Sequence, residues 1–268
     1  MWILIIAIIA LVLFYLFALH GRMGHSRMRR LRKFSYAHRG LHSESVPENS
    51  MAAFRAARDA GYGIELDIHL LKDGNLAVIH DHSLLRTANA DVLIEDLTAP
   101  EISDFRLANG ERIPLFSEVL ALVAGEVPLI IELKPANNNF AALTDAAVAA
   151  MADYPGVWCM ESFDPRCLRH LKKHYPKVIR GQLSENFPCN PTVAAPLWLK
   201  CVMALLLPNF LTSPDFVAYR FAHCKLFSLQ LCRRLWRIPI VAWTIQTQEE
   251  FNLAIEEGYI PIFENFLP

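Results

Sequence analysis

No two of the six cysteines form a CxxC pair, and Cys159, Cys167, Cys189, Cys201, Cys224 and Cys232 are too dispersed for a small disulfide scaffold. That spacing argues against a cysteine zinc site and fits thiols that stay reduced. An internal repeat is lacking, and so is any low-complexity segment, which excludes repeat arrays and compositionally biased tails. Carboxylates are missing from the start of the chain, where Glu44 is the first acidic residue. No basic residue precedes the opening apolar run, and the cleavage consensus around Ala18-Leu19-His20 is poor, so a cleaved secretory signal is disfavoured. Cationic excess is absent beyond residue 33. Removing Arg22, Arg27, Arg29, Arg30, Arg32 and Lys33 from the 26 basic residues leaves 20 against 27 acids, or about −7. A body of that charge carries no footprint for nucleic acid.

What is present begins with residues 1–19, apolar from Met1 to Leu19. At about 1.5 Å per residue such a run just crosses the hydrocarbon core of a bilayer. Residues 1–20 are therefore expected to form an uncleaved transmembrane anchor, and residues 21–33 a basic juxtamembrane linker. The six basic residues after the span place the carboxyl side in the cytoplasm under the positive-inside rule. They would also attract anionic headgroups. The expected localisation is thus a single-pass membrane protein, held by residues 1–19, with its catalytic domain facing the cytoplasm.

Residues 34–268, in a chain that is 53% hydrophobic and 20% charged, are enough for one large core. Strands are expected at Phe34–Ala37, Ile64–Ile68, Pro128–Leu133, Val157–Ser162, Lys177–Leu183, Phe216–Tyr219, Ile240–Thr244 and Ile260–Phe263. Helices are expected at Met51–Ala60, capped by Asn49 or Ser50, and at Phe116–Gly125, Phe140–Ala152, Arg166–His174, Leu226–Trp236 and Gln248–Glu257. Eight strands alternating with helices predict an α/β fold, a TIM (βα)8 barrel, with a β-hairpin excursion after its second strand. Only five residues follow the last strand, so no closing helix is expected.

The densest chemistry lies between Tyr36 and Asp81. Glu65 and Asp67 are two apart on a strand and share a face, with Leu66 and Ile68 on the other. The link to Leu76–Ile79 is too short for a parallel crossover, so the pair is antiparallel. With Asp73-Gly74 as a two-residue turn, facing residues sum to 147, which sets Asp67 opposite His80 and His82 opposite Glu65.

The order His38-Arg39-Gly40, Pro47-Glu48-Asn49, Glu65-Leu66-Asp67, Lys72-Asp73-Gly74, His80-Asp81 resembles the glycerophosphodiester phosphodiesterase family. Glu132-Leu133-Lys134 and Ala242-Trp243-Thr244 fit as well, and the resemblance runs over residues 34–268. Three positions depart from the family pattern: Ser50 where Thr is usual, Leu71 where Thr is common, and Phe263-Glu264-Asn265 where many members carry Thr-Asp. The resemblance implies that Glu65, Asp67 and Glu132 hold a metal, and that His38 and His80 form the proton-transfer pair. It also implies glycerol 3-phosphate and an alcohol as products.

The residues support that chemistry on their own terms. In such barrels active groups sit at the carboxyl ends of strands, where His38, Arg39, Glu65, Asp67, Glu132 and Lys134 fall. Three carboxylates in one mouth repel unless a cation joins them, and oxygen ligands suit Ca²⁺ or Mg²⁺. The rival is a set of ion pairs, Glu132 with Lys134 and Asp67 with Arg39. Arg39 and Lys134 can grip phosphate oxygens, and His38 and His80 can act as general base and acid in either order. Trp243 is expected to wall the substrate pocket, with Phe163 near it, and Glu264 or Asn265 to touch the glycerol moiety or a water. His42, His69 and His82 read as rim or hairpin residues. Leu197–Leu207 reads as an outer-ring helix, its rival an interfacial segment dipping into lipid. The substrate is then a small glycerophosphodiester. The alternative is phospholipase D-like action on membrane lysophospholipids, and a catalytically silent barrel would be expected to have lost a ligand or a histidine.

Overall fold

The computed structural model describes every residue except 23, 25 and 27, so Arg27 of the basic cluster lies outside the described residues. The described residues form nine strands: β1 Tyr36–His38, β2 Gly63–Leu70, β3 Leu76–Val78, β4 Leu129–Leu133, β5 Trp158–Ser162, β6 Arg180–Ser184, β7 Phe216–Arg220, β8 Ile240–Ile245 and β9 Ile260–Phe263. All but β3 run parallel and close into a barrel in the order β1-β2-β4-β5-β6-β7-β8-β9, with β9 returning to β1. The expected eight-stranded barrel is present.

Strand parity builds two apolar layers. Leu66 and Ile68 face outward onto the helix Met51–Asp59, where Phe54 and Ala57 are fully buried. Tyr36, Ile130, Cys159, Phe216, Val241, Ile260 and Ile262 turn inward and fill the barrel. Gly181 makes room for this interior, because a Cβ there would stand 2.1 Å from the Phe216 ring. A helical turn at Met28–Leu31 joins the same inner cluster, and the Tyr36 hydroxyl donates to the Leu31 carbonyl at 2.9 Å.

Two sequence expectations fail here. The helix Trp2–Ala18 has 17 residues, and no helix among the described residues is long and apolar enough to cross a membrane. At about 1.5 Å per residue it falls short of a bilayer core of roughly 30 Å. Its carboxyl end is taken up by the barrel: Ala18 and Leu19 are fully buried, and the Trp236 indole donates to the Leu16 carbonyl at 2.9 Å. The transmembrane anchor, the membrane localisation and the cytoplasm-facing orientation expected from the sequence are therefore not supported. Arg22 of the basic cluster is likewise committed, pairing with Asp215 at 2.6 Å and donating to the carbonyls of Pro176 and Val178.

The hairpin is shifted by one residue. Its partners sum to 146, with Ile68 opposite Val78 and Leu70 opposite Leu76. The loop holds three residues, Lys72-Asp73-Gly74, because Leu71 N–H bonds Asn75 O while Gly74 N–H returns to Leu71 O. Gly74 takes the left-handed conformation (φ +87°) that closes such a loop. Above this hairpin, residues 84–115 form short helical turns that pack together. Leu84, Ile94, Ile102, Leu107 and Ile113 bury a small core of their own against Leu71, Ala77 and Ile79.

Elsewhere the boundaries move by one to three residues, most at the start of β6. Ser50, not Asn49, caps the helix Met51–Asp59, its hydroxyl accepting from Ala53 N–H at 3.1 Å. The 197–207 run forms a helix at Leu197–Ala204, tied to the barrel at its carboxyl end by Ser184 Oγ to Met203 O and Tyr219 OH to Ala204 O.

Candidate active site

The mouth is built by inward positions towards the carboxyl ends of β1, β2, β4 and β5. Parallel register sets His38 beside Glu65, Asp67 beside Glu132, and Glu132 beside Glu161. Ligand oxygens of Glu65, Asp67 and Glu132 can all lie within 4.8 Å of one another, and all three residues are buried. Burial raises Glu65 well above the usual carboxylate range, and the charges of Asp67, Glu132 and Glu161 push it the same way. Burial also lifts Glu132 to about 7, against the pull of Lys134. Asp67 is driven far down instead, since Lys134 and Arg39 outweigh its desolvation.

Both ion pairs foreseen as the rival to a cation do form. Lys134 Nζ bridges Glu132 at 2.8 Å and Asp67 at 3.2 Å, and Arg39 Nε lies 3.4 Å from Asp67. They do not balance the mouth. Arg39 also serves Glu48 at 2.9 Å, while Glu65, among the described residues, accepts from the Arg39 backbone N–H at 3.1 Å and lies 3.9 Å from His38 Nε2. Glu161 is buried, has an oxygen with no hydrogen-bond partner, and is raised well above the carboxylate range by burial and by Glu132 and Asp67. The donor set is oxygen-only and short of positive charge, which fits a hard divalent cation.

The two histidines sit in separate carboxylate dyads. His38 Nδ1 meets Glu264 Oε2 at 2.5 Å, and His80 Nδ1 meets Asp81 Oδ1 at 2.6 Å. Burial lowers His38, against Glu264, and lowers His80 to about 4, against Asp67. The one-residue hairpin shift puts Ile79, rather than His80, in line with Asp67: Ile79 N–H donates to Asp67 O at 3.2 Å. His80 stands just past β3 and still feels the charges of Asp67, Lys134 and Arg39. His82 does not face Glu65 at all; it bonds Glu95 at 2.7 Å. Trp243 lies at the mouth end of β8, edge-on to Phe163 at 5.6 Å, with its indole N–H buried and unpartnered.

Several groups were missed or misread in the sequence. Asn49 is no cap: its amide donates to Asp67 Oδ2 at 2.9 Å from a left-handed backbone position. Glu48 links Arg39 to Arg86, which also pairs with Asp81, so one charge network joins the His80 side of the mouth to the Asp67 side. Glu264 orients His38 where only a glycerol or water contact was expected. Glu161 had one available signal, a lone carboxylate inside an apolar strand.

Acidic groups, basic groups and histidines gathered at the carboxyl end of a closed (βα)8 barrel mark the active-site face of a barrel enzyme. The sequence profile of the glycerophosphoryl diester phosphodiesterase family matches residues 38–267, and the chain belongs to that family. It is 37% identical over 236 residues to a glycerophosphodiester phosphodiesterase of Caldanaerobacter subterraneus subsp. tengcongensis, covering 83% of this chain and 89% of that one. Mouse glycerophosphodiester phosphodiesterase 1 is 26% identical over 254 residues, 81% of this chain and 72% of the mouse protein. Among solved structures, an Oleispira antarctica phosphodiesterase in complex with the product sn-glycerol-3-phosphate superposes with a TM-score of 0.72 at 21% identity, covering 86% of this chain and 92% of that one. A Thermotoga maritima glycerophosphodiester phosphodiesterase gives 0.65 at 24% identity, with 86% and 93% covered. The protein is a glycerophosphodiester phosphodiesterase, a phosphoric diester hydrolase.

Proposed function

We propose that this mouth hydrolyses glycerophosphodiesters to glycerol 3-phosphate and an alcohol with the help of one divalent cation, Ca²⁺ or Mg²⁺. Glu65, Asp67 and Glu132 would hold that ion, whose chemistry is to polarise the phosphoryl oxygens and stabilise developing charge. The observation that carries the reading is the carboxylate cluster, in which, among the described residues, Glu65 forms no ion pair with an Arg or Lys side chain.

Arg39 and Lys134 supply fixed positive charge for the phosphate, Arg39 with a planar fork that can meet two oxygens. One imidazole of the pair His38 and His80 takes a proton from the attacking water. The other delivers a proton to the oxygen of the departing alcohol, so the bond broken is phosphorus to alcohol oxygen. Burial keeps both rings largely neutral near pH 7, which suits the base; the acid is charged only as negative phosphate enters beside it. Trp243 and Phe163 wall the alcohol side. The lysophospholipid alternative loses the tether it leaned on.

The test is glycerol 3-phosphate release from a panel of glycerophosphodiesters by the full chain, with Ca²⁺, with Mg²⁺ and with chelator, beside His38→Ala and Glu65→Gln. Release that needs both the metal and these side chains supports the reading. Release that persists in chelator, or in His38→Ala, overturns it.

A further inference from the structure

Above the barrel rim, β2 continues past Asp67 to His69, which is completely buried. His69 Nδ1 and His82 Nδ1 each lie 2.7 Å from one oxygen, Oε1 of Glu95, on the turn Ile94–Asp96. The two rings stand edge to face at 4.8 Å, and the three ligand atoms all fall within 4.8 Å of one another. The cluster is tied in place by Ile94 N–H to His82 O and Lys72 N–H to Leu97 O.

Counting protons shows what is unusual here. His69 Nε2 lies 3.2 Å from the His80 backbone carbonyl, which can only accept, so Nε2 carries a proton. The other nitrogen, Nδ1, converges with Nδ1 of His82 on a single oxygen of Glu95, each at 2.7 Å. Glu95 is an anion, held down to about 2 because the two imidazoles outweigh its burial.

We propose that His69, His82 and Glu95 form a second metal site, for one divalent transition cation of the zinc class, separate from the oxygen-only mouth. Two imidazole nitrogens and one carboxylate are the donors such an ion prefers, whereas Ca²⁺ and Mg²⁺ favour oxygen throughout. A ring whose other N–H is fixed on a backbone carbonyl is the usual outer-shell arrangement for a ligating histidine. Metal–ligand bonds of about 2.0–2.1 Å set ligand atoms roughly 3.3 Å apart, so the two nitrogen–oxygen separations of 2.7 Å would widen by about half an ångström on binding. His82 is half exposed, which gives the ion a way in and leaves a position for water. The ion would also stiffen the carbonyl of His80, held by the same His69 ring.

The test compares the metal-stripped full chain with His82→Ala and Glu95→Gln, each in saturating Mg²⁺, by zinc competition against a chromophoric chelator. Wild type is expected to take up one more tightly held Zn²⁺ per chain than either variant. Other histidine clusters remain in all three proteins and cancel in the difference. Co²⁺ substituted at the site should give visible absorption bands of a nitrogen and oxygen environment, lost in both variants. His82 carries little packing, so His82→Ala folds; equal unfolding temperatures without metal check this. Equal zinc uptake by all three proteins would overturn the site.

Discussion

Nδ1 of His38 lies 2.5 Å from Oε2 of Glu264, across the seam where the first strand of the barrel meets the last. Glu264 is itself held by Gln246, whose amide donates to Oε1 at 2.8 Å. The carboxylate fixes the proton on Nδ1 and turns Nε2 toward Glu65, 3.9 Å away. A proton-transferring ring depends on that tautomer. Glu264→Ala is therefore expected to lower kcat by about 10²-fold with little change in KM. Steady-state rates on a soluble glycerophosphodiester check this, and an unchanged kcat would remove Glu264 from the orientation of His38.

Lys134 bridges Asp67 and Glu132 with its ammonium almost out of solvent. Replacing it strands two buried carboxylates, and breaking such a pair costs about 3–5 kcal/mol. Lys134→Met keeps the aliphatic stem, so its loss reports the charge. Without metal its urea midpoint should fall well below wild type. Because a divalent cation would replace the missing charge, Ca²⁺ should raise the variant's Tm by more than it raises that of the wild type. Equal shifts would argue that the ion binds elsewhere.

Asn49 reaches Asp67 from a left-handed turn, φ +53°. Asn49→Gly accepts that backbone without strain and removes only the side-chain donor. Groups that orient a ligand in this way typically account for about 10- to 100-fold in metal affinity. Calorimetric titration of Ca²⁺ or Mg²⁺ should show a weakening of that order; an unaltered affinity would mean Asp67 is held well enough by Lys134 and Arg39.

How far the sequence could be read varied with the range of the interaction. Strand β9 falls where expected, at Ile260–Phe263, because an apolar run between Gly258 and Glu264 needs only local information. The inward pairing of Glu65 with Asp67 followed from a period of two. The hairpin slipped by one because Asp73-Gly74 looks like a two-residue turn, while the Leu71–Asn75 bond that makes it three lies outside any turn dipeptide. Hydropathy alone read residues 1–19 as a span; it carries no trace of Trp236 and Cys232, more than two hundred residues on, which bond the Leu16 and Leu19 carbonyls. The Arg86–Glu48–Arg39 chain of charges was illegible for the same reason, since it joins the loop after β1 to the distant helical turn Leu85–Ala88.

His80 supplies a pH dependence whose sign can be worked out. Burial lowers its folded value to about 4, against an ordinary value of 6.5. Between those limits the unfolded chain binds the proton and the folded chain does not, so stability rises with pH. The contribution is complete above about 6.5 and is lost as pH falls toward 4. Going from about pH 7 to 5, full linkage amounts to roughly 2 kcal/mol. His80 keeps 32% of its side chain exposed, so solvent screening trims this to about 1 kcal/mol or less. Urea melts of metal-free protein should therefore show wild type losing more stability than His80→Gln over that interval. A histidine ring signal that titrates near 6.5 in the folded protein, with equal losses in the two melts, would mean that Asp67 and Asp81 hold the proton on His80 after all, and would recast it as the acid of the pair.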